Sequence, residues 1–213
     1  MTIRRTIITA AAALAAAALL AGCSQGTSSA APTYGASASH TPKSTPTPSA
    51  TAAYPTQKQV GPPKDEAAAY AAVNKTIKGY LALLSQAYAH PEDGTTRLQG
   101  YETGAALSAD KQALTYFTTN GLYLSGSVSW QPVASTAAYG TAGSGSSAVD
   151  NGSVQLSGCF RYSDGARVLA KPGHTAPSSL VPTHPLGFTV TYFPAGKVWY
   201  ISNEDTTVSG VSC

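Results

Sequence analysis

The sequence predicts an α+β domain in which helices come first and an antiparallel sheet follows. Three observations carry this reading. From residue 64 to residue 119 the apolar residues recur every three or four positions, the period of a helix. From residue 122 onward they recur at every second position, the period of a strand. Helical segments followed by a run of strands bury their apolar faces most economically as helices laid across a curved sheet. The chain has 213 residues, and the globular part, 64–213, is long enough to enclose a sizeable core.

The first element is a helix over "KDEAAAYAAVNKTIKGYLALLSQAYAHP". Asp65 and Glu66 put negative charge at its N-terminal end, where the helix dipole favours it. Tyr70, Val73, Ile77, Leu81, Leu84 and Tyr88 make one apolar stripe. Pro91 stops the helix, and Asp93-Gly94 turns the chain. Leu98 and Tyr101 suit a short helical turn. A second helix is expected from Ala105 or Ser108 to Thr119, with Ser108 as a candidate N-cap and Asn120-Gly121 as the stop. Leu107, Leu114 and Phe117 share its inner face.

The strands follow. Leu122, Leu124, Val128 and Trp130 alternate with polar partners and read as one strand, and Val133–Tyr139 as another. The Gly/Ser-rich run from 140 to 153 reads as a loop. Val154, Leu156, Phe160 and Tyr162 mark a strand with Cys159 on its other face. Asp164-Gly165 signals a hairpin into residues 166–170. A proline-interrupted loop then leads to a strand carrying Phe188, Val190 and Tyr192. Pro194-Ala195-Gly196 turns the chain into the return strand Val198–Ser202.

Ahead of the domain the composition changes twice. Residues 1–22 hold Arg4-Arg5, an Ala/Leu-rich apolar run and small residues before Cys23, which is the pattern of a secretory signal. The run is short for a stable span. A pair of arginines suits a general or a twin-arginine export route. Residues 23–63 are Ser, Thr, Ala and Pro with almost no aliphatic side chains, so they bury too little apolar surface to offset ordering. They read as a disordered tether, and the Ser/Thr/Pro tract also suits O-glycosylation.

The chain carries 13 basic and 10 acidic residues. Loss of Arg4 and Arg5 with the signal leaves a nearly neutral protein with no footprint for nucleic acid. Of three cysteines, Cys23 belongs to the N-terminal feature. In an exported chain Cys159 and Cys213 read as one disulfide, against the alternative of two free buried thiols.

Two resemblances add to this. Leu20, Ala21, Gly22 and Cys23 resemble the bacterial lipobox. The resemblance implies diacylglycerol attachment at the Cys23 thiol and cleavage before it. It further implies an anchor in the outer face of the cytoplasmic membrane of a Gram-positive-type cell. The alternative is a signal peptide that happens to contain a cysteine. "YLALLSQAYAHPEDGTTRLQGYETGAAL", "VQLSGCFRYSDG" and "GKVWYISNEDTTVSGVSC" resemble the nuclear transport factor 2-like fold of small actinobacterial lipoproteins. That resemblance implies a cone-like domain with a pocket between helix and sheet. It implies no single activity, since the fold hosts isomerases, dehydratases and binding modules.

Catalytic chemistry leaves little trace. Nucleophile, phosphate-loop and dinucleotide motifs are missing, and the histidine spacing fits no metal motif. Of the acids Asp65, Glu66, Glu92, Asp93, Glu102, Asp110, Asp150, Asp164, Glu204 and Asp205, most fall in helix first turns, turns or loops, and none lies on the inner face of a predicted strand. Glu102 suits a pocket or a short exposed helix equally. Tyr70, Tyr101, Tyr116, Tyr123, Trp130 and Tyr192 either line an apolar pocket or serve as core volume. The sequence thus points to a non-catalytic binding or interaction module in the cell envelope, with no cofactor and no metal. Its partner would be an envelope protein or a small apolar ligand. The alternatives are an isomerase- or dehydratase-type enzyme and an apolar-ligand carrier.

Overall fold

The computed structural model describes residues 56–94, 96–177 and 180–213. The signal segment, Cys23 with Leu20, Ala21 and Gly22, and the tether up to Pro55 lie outside the described residues. Among the described residues no helix is long and apolar enough to cross a membrane.

The domain is α+β, with helices on one face of an open antiparallel sheet. Helix α1 spans Glu66–Ala89; Asp65 caps it by accepting from the Ala68 N–H at 2.7 Å. Its buried face runs through Val73, Ile77, Tyr80, Leu84 and Ala87, while Tyr70 and Tyr88 are half-buried at its margins. The four-residue α2, Pro91–Gly94, starts at the predicted breaker. Helix α3 spans Gly104–Thr119, beginning next to Ala105, the earlier of the two expected starts, and one turn ahead of Ser108.

The strand order is where the topology departs from expectation. The predicted strand 122–130 breaks at Gly126, whose φ of +122° only glycine adopts freely. Its halves are β1, Leu122–Ser125, and β2, Val128–Pro132, and they join different sheets. Strand β3 is Ala138–Ala142, set beyond a short 3-10 turn at Ala134–Thr136. Strand β4, Val149–Tyr162, extends back into the predicted Gly/Ser-rich loop. Asp164-Gly165 does turn the chain, but β5, Arg167–Ala170, pairs with β1 instead of folding back on β4. Strands β6, Thr183–Phe193, and β7, Val198–Asp205, form the expected C-terminal hairpin.

The five-stranded sheet is built around β4. β3 and then β2 pair end to end along one of its edges, β6 pairs along the other, and β7 is the outer strand beyond β6. The inner face carries Val154, Leu156 and Phe160 of β4, Phe188, Val190 and Tyr192 of β6, and Trp199 and Ile201 of β7, all buried against the helices. Trp130 lies on the same core, edge-on to Phe188 at 5.2 Å. Gly158 makes room for it: a Cβ there would stand 2.8 Å from the indole nitrogen. On the outer face Cys159 is bonded to Cys213, with 5.6 Å between their Cα atoms, which ties the C-terminal tail to the central strand.

The folded domain begins before residue 64. The Gln57 amide donates to the Gly100 and Trp199 carbonyls at 2.9 and 2.6 Å. The Val60 N–H donates to the Lys197 carbonyl at 2.7 Å, and the Tyr192 hydroxyl donates to the Val60 carbonyl at 3.0 Å. The last part of the predicted tether is therefore laid along the domain.

Candidate functional site

Four elements meet at a buried acidic cluster. Tyr80 comes from the inner face of α1. Asp110 comes from α3, where Ala106, Asp110 and Leu114 share the buried face at four-residue steps. Because α3 starts at Gly104, next to the earlier of the two expected starts, Asp110 lies beyond its first turn on the stripe that faces the core. Glu102 lies in the link before α3. That link is pinned to β7 by a parallel bridge: the Thr103 N–H donates to the Ile201 carbonyl and the Ile201 N–H donates to the Tyr101 carbonyl, both at 2.9 Å. Glu102 is therefore buried, 1% exposed, and does not sit on an exposed helix.

Glu204 completes the cluster through a β-bulge. Trp199 and Ile201 face inward opposite Tyr192 and Val190. Strict alternation would then turn Asn203 inward and Glu204 outward. Ser202 is instead an extra residue between the Val190–Ile201 and Thr189–Asn203 pairs, so the phase shifts by one and Glu204 stands opposite the buried Phe188. The Ser202 hydroxyl donates to the Thr189 carbonyl at 3.2 Å and ties the bulge to its neighbour. The predicted strand stopped at Ser202, so it ended before the inward carboxylate.

The cluster is compact. The Tyr80 hydroxyl is 2.7 Å from Asp110 Oδ2 and 2.7 Å from Glu204 Oε1. One oxygen from each of Glu102, Asp110 and Glu204 lies within 4.8 Å of the others. A phenol has one proton to give, so one of its two short contacts needs a proton from a carboxyl. Neither oxygen of Glu102 has a hydrogen-bond partner among the described residues.

Burial and mutual repulsion set the protonation. Burial first, then the charges of Asp110 and Glu204, push the Glu102 carboxyl up to about 10. Burial and the Asp110 charge push Glu204 up to about 7. Burial lifts Asp110 to about 6, against the hydrogen bond from Tyr80 that favours its anion. Asp110 is the preferred carrier of negative charge, and Glu102 holds its proton through neutral pH. Burial, followed by these carboxylates, raises the Tyr80 hydroxyl well above its ordinary value.

A separate cavity is apolar. It holds 210 Å³ and is lined by Tyr88 of α1, Tyr116 and Phe117 of α3, Leu122 and Leu124 of β1, Val128 of β2, Phe160 and Tyr162 of β4, and Val168 of β5, with Pro177 and Leu180 beside it. Among the described residues, its only side-chain polar atoms are tyrosine hydroxyls. Residues of the separate β1–β5 ribbon, of the main sheet and of both long helices form its walls. A third space, a 270 Å³ groove, lies under the N-terminal segment between Gln57, Lys58, Thr76, Gly79, Tyr101 and Trp199. The carboxylates line neither space.

The six aromatic residues singled out from the sequence are distributed among these features. Tyr116, 58% exposed, stands at the apolar cavity. Tyr101 lines the groove against Gly79, where a Cβ would be 2.6 Å from its hydroxyl. Trp130 and Tyr192 are core residues, Tyr70 is half-buried on α1, and Tyr123 is half-buried on β1 opposite Leu169.

No protein-family model matches the chain, and no curated protein matches it. Among solved structures it is similar to the crystal structure of the intermembrane space region of the chloroplast protein ARC6. The two share 13% identity, and the match covers 64% of this chain and 95% of the other at a TM-score of 0.37. A likeness this distant carries no argument.

Proposed function

We propose that this chain is a lipid-anchored lipoprotein on the outer face of the cytoplasmic membrane. Its α+β domain acts there as a non-catalytic binding module that takes an apolar group in the cavity between α1, α3 and the β1–β5 ribbon. The observation that carries the reading is the cavity itself: 210 Å³ lined almost wholly by aliphatic and aromatic side chains. Such a lining favours an alkyl chain or an apolar side chain of an envelope protein over a charged metabolite. A cavity between helices and sheet is also what a cone-like domain of the nuclear transport factor 2-like type would offer. The anchor rests on Cys23 and the preceding Leu20, Ala21 and Gly22.

One observation favours the enzymatic alternative. Glu204 is pushed to about 7, the range suited to proton transfer at neutral pH. The binding reading comes first because the carboxylates do not line the cavity that a substrate would fill.

The test is a titration with a neutral apolar fluorophore such as N-phenylnaphthylamine, with Val168→Trp as the cavity-filling variant. One saturable site per chain, weakened about tenfold or more in the variant (about 1.4 kcal/mol), is expected. Absence of saturable binding, or equal binding by a folded variant, overturns the reading. For the anchor, Cys23→Ser should move the protein from the membrane fraction to the medium; retention in the membrane argues against it.

A further inference from the structure

We propose that Glu102, Asp110 and Glu204 form a binding site for a hard divalent cation, calcium in the first place. The inference is independent of the apolar cavity. It rests on two observations. The first is the convergence of three carboxylates from the link before α3, from α3 and from β7, with one oxygen of each within 4.8 Å of the others. The second is Glu102 itself, a side chain 1% exposed whose two oxygens have no hydrogen-bond partner among the described residues while one of them points into the cluster. A buried carboxyl group left without partners is costly unless something in the site satisfies it.

The geometry suits calcium. Three atoms no more than 4.8 Å apart all lie within about 2.8 Å of a common point. Calcium–oxygen distances are roughly 2.3–2.6 Å, so contraction by a few tenths of an ångström brings all three into the coordination range. Magnesium, at about 2.0–2.1 Å in a strict octahedron, demands a larger contraction. The donors are all oxygen, which disfavours softer metals. Glu204 is only half-buried on the outermost strand and is the side from which an ion would enter. The bulge at Ser202 has a role here: it turns the third ligand inward.

The test is calorimetric titration and thermal unfolding of the chelator-treated protein with calcium chloride, magnesium chloride and a sodium chloride control of matched ionic strength. One calcium per chain is expected, with a saturable rise in melting temperature below about 10 mM, the range of extracellular calcium modules, and weaker binding of magnesium. Glu102→Gln should weaken calcium binding at least tenfold, whereas Asp164→Asn, at an exposed turn, should leave it unchanged. If Glu102→Gln lacks the native circular dichroism spectrum, Glu204→Gln serves in its place. No saturable heat and no shift beyond the sodium control overturns the proposal and leaves protons as the cluster's only occupants. Undiminished binding in the folded Gln variants overturns it equally.

Discussion

Raising the pH from 5 to 7 in the presence of a chelator should destabilise this domain, the reverse of the usual behaviour of carboxylates. Glu102, Glu204 and Asp110 are held at about 10, 7 and 6, against ordinary values of 4.5, 4.5 and 3.8. Between the ordinary and the raised value the folded chain keeps a proton that the unfolded chain has released. The stability from each group is therefore fully present below its unfolded value and is lost as pH rises through its folded value. Each retained proton amounts to about 1.4 kcal/mol per pH unit. About two are retained across this interval, which would total about 6 kcal/mol if the groups titrated independently. Their coupling and the partial exposure of Glu204 reduce this to on the order of 3 kcal/mol. His184, whose imidazole burial holds below its ordinary value, works in the opposite direction but is a single group. The assay is urea unfolding followed by the fluorescence of Trp130 and Trp199, both buried. The midpoint should fall as pH rises, and Glu102→Gln should flatten the trend by about one retained proton. A midpoint that rises over this interval, or a slope unchanged in Glu102→Gln, refutes the reasoning. Saturating calcium should oppose the fall, because a bound cation replaces the protons.

Removing the disulfide through Cys159→Ala with Cys213→Ala opens a loop of sequence separation 54. The chain-entropy cost is about 4 kcal/mol at most, read as a drop in melting temperature of roughly 10 °C; a drop under about 2 °C would show that the tail adds little. Gly158→Ala places a Cβ against the Gln131 carbonyl and 2.7 Å from the Trp130 indole. It should cost on the order of 3 kcal/mol in denaturant unfolding. Gly140→Ala, whose nearest neighbours are 3.9 Å away, should change stability by no more than about 0.5 kcal/mol; equal effects at the two sites would contradict the packing.

Local patterns were legible because they depend on neighbours in the chain. The period of α1, the stop at Pro91 and the C-terminal hairpin all follow from spacing and composition, and the Cys159–Cys213 pair from setting Cys23 aside in a chain read as exported. The same rules mislead where a tertiary contact overrides alternation. Gly126 reads as a small residue inside one strand, yet it lets β1 leave for β5, and the two strands supply Leu122, Leu124 and Val168 to the wall of the apolar cavity. Asp110 carries a signal, the four-residue step from Ala106 to Leu114, but a carboxylate on an apolar stripe shows its partners only once the helix is packed. Glu102 has no periodic context, and only its bridge to Ile201 makes it a core residue.

The sequence by itself determined the class of the domain and the order of helices before strands, because these depend on which residues are apolar and at what interval. Only the tertiary structure decided that Tyr80, Glu102, Asp110 and Glu204 meet. They are drawn from positions up to 124 residues apart. One of them faces inward only because an extra residue shifts the phase of β7 against β6. A bulge of that kind is set by the pairing of two strands, and neither strand encodes it alone.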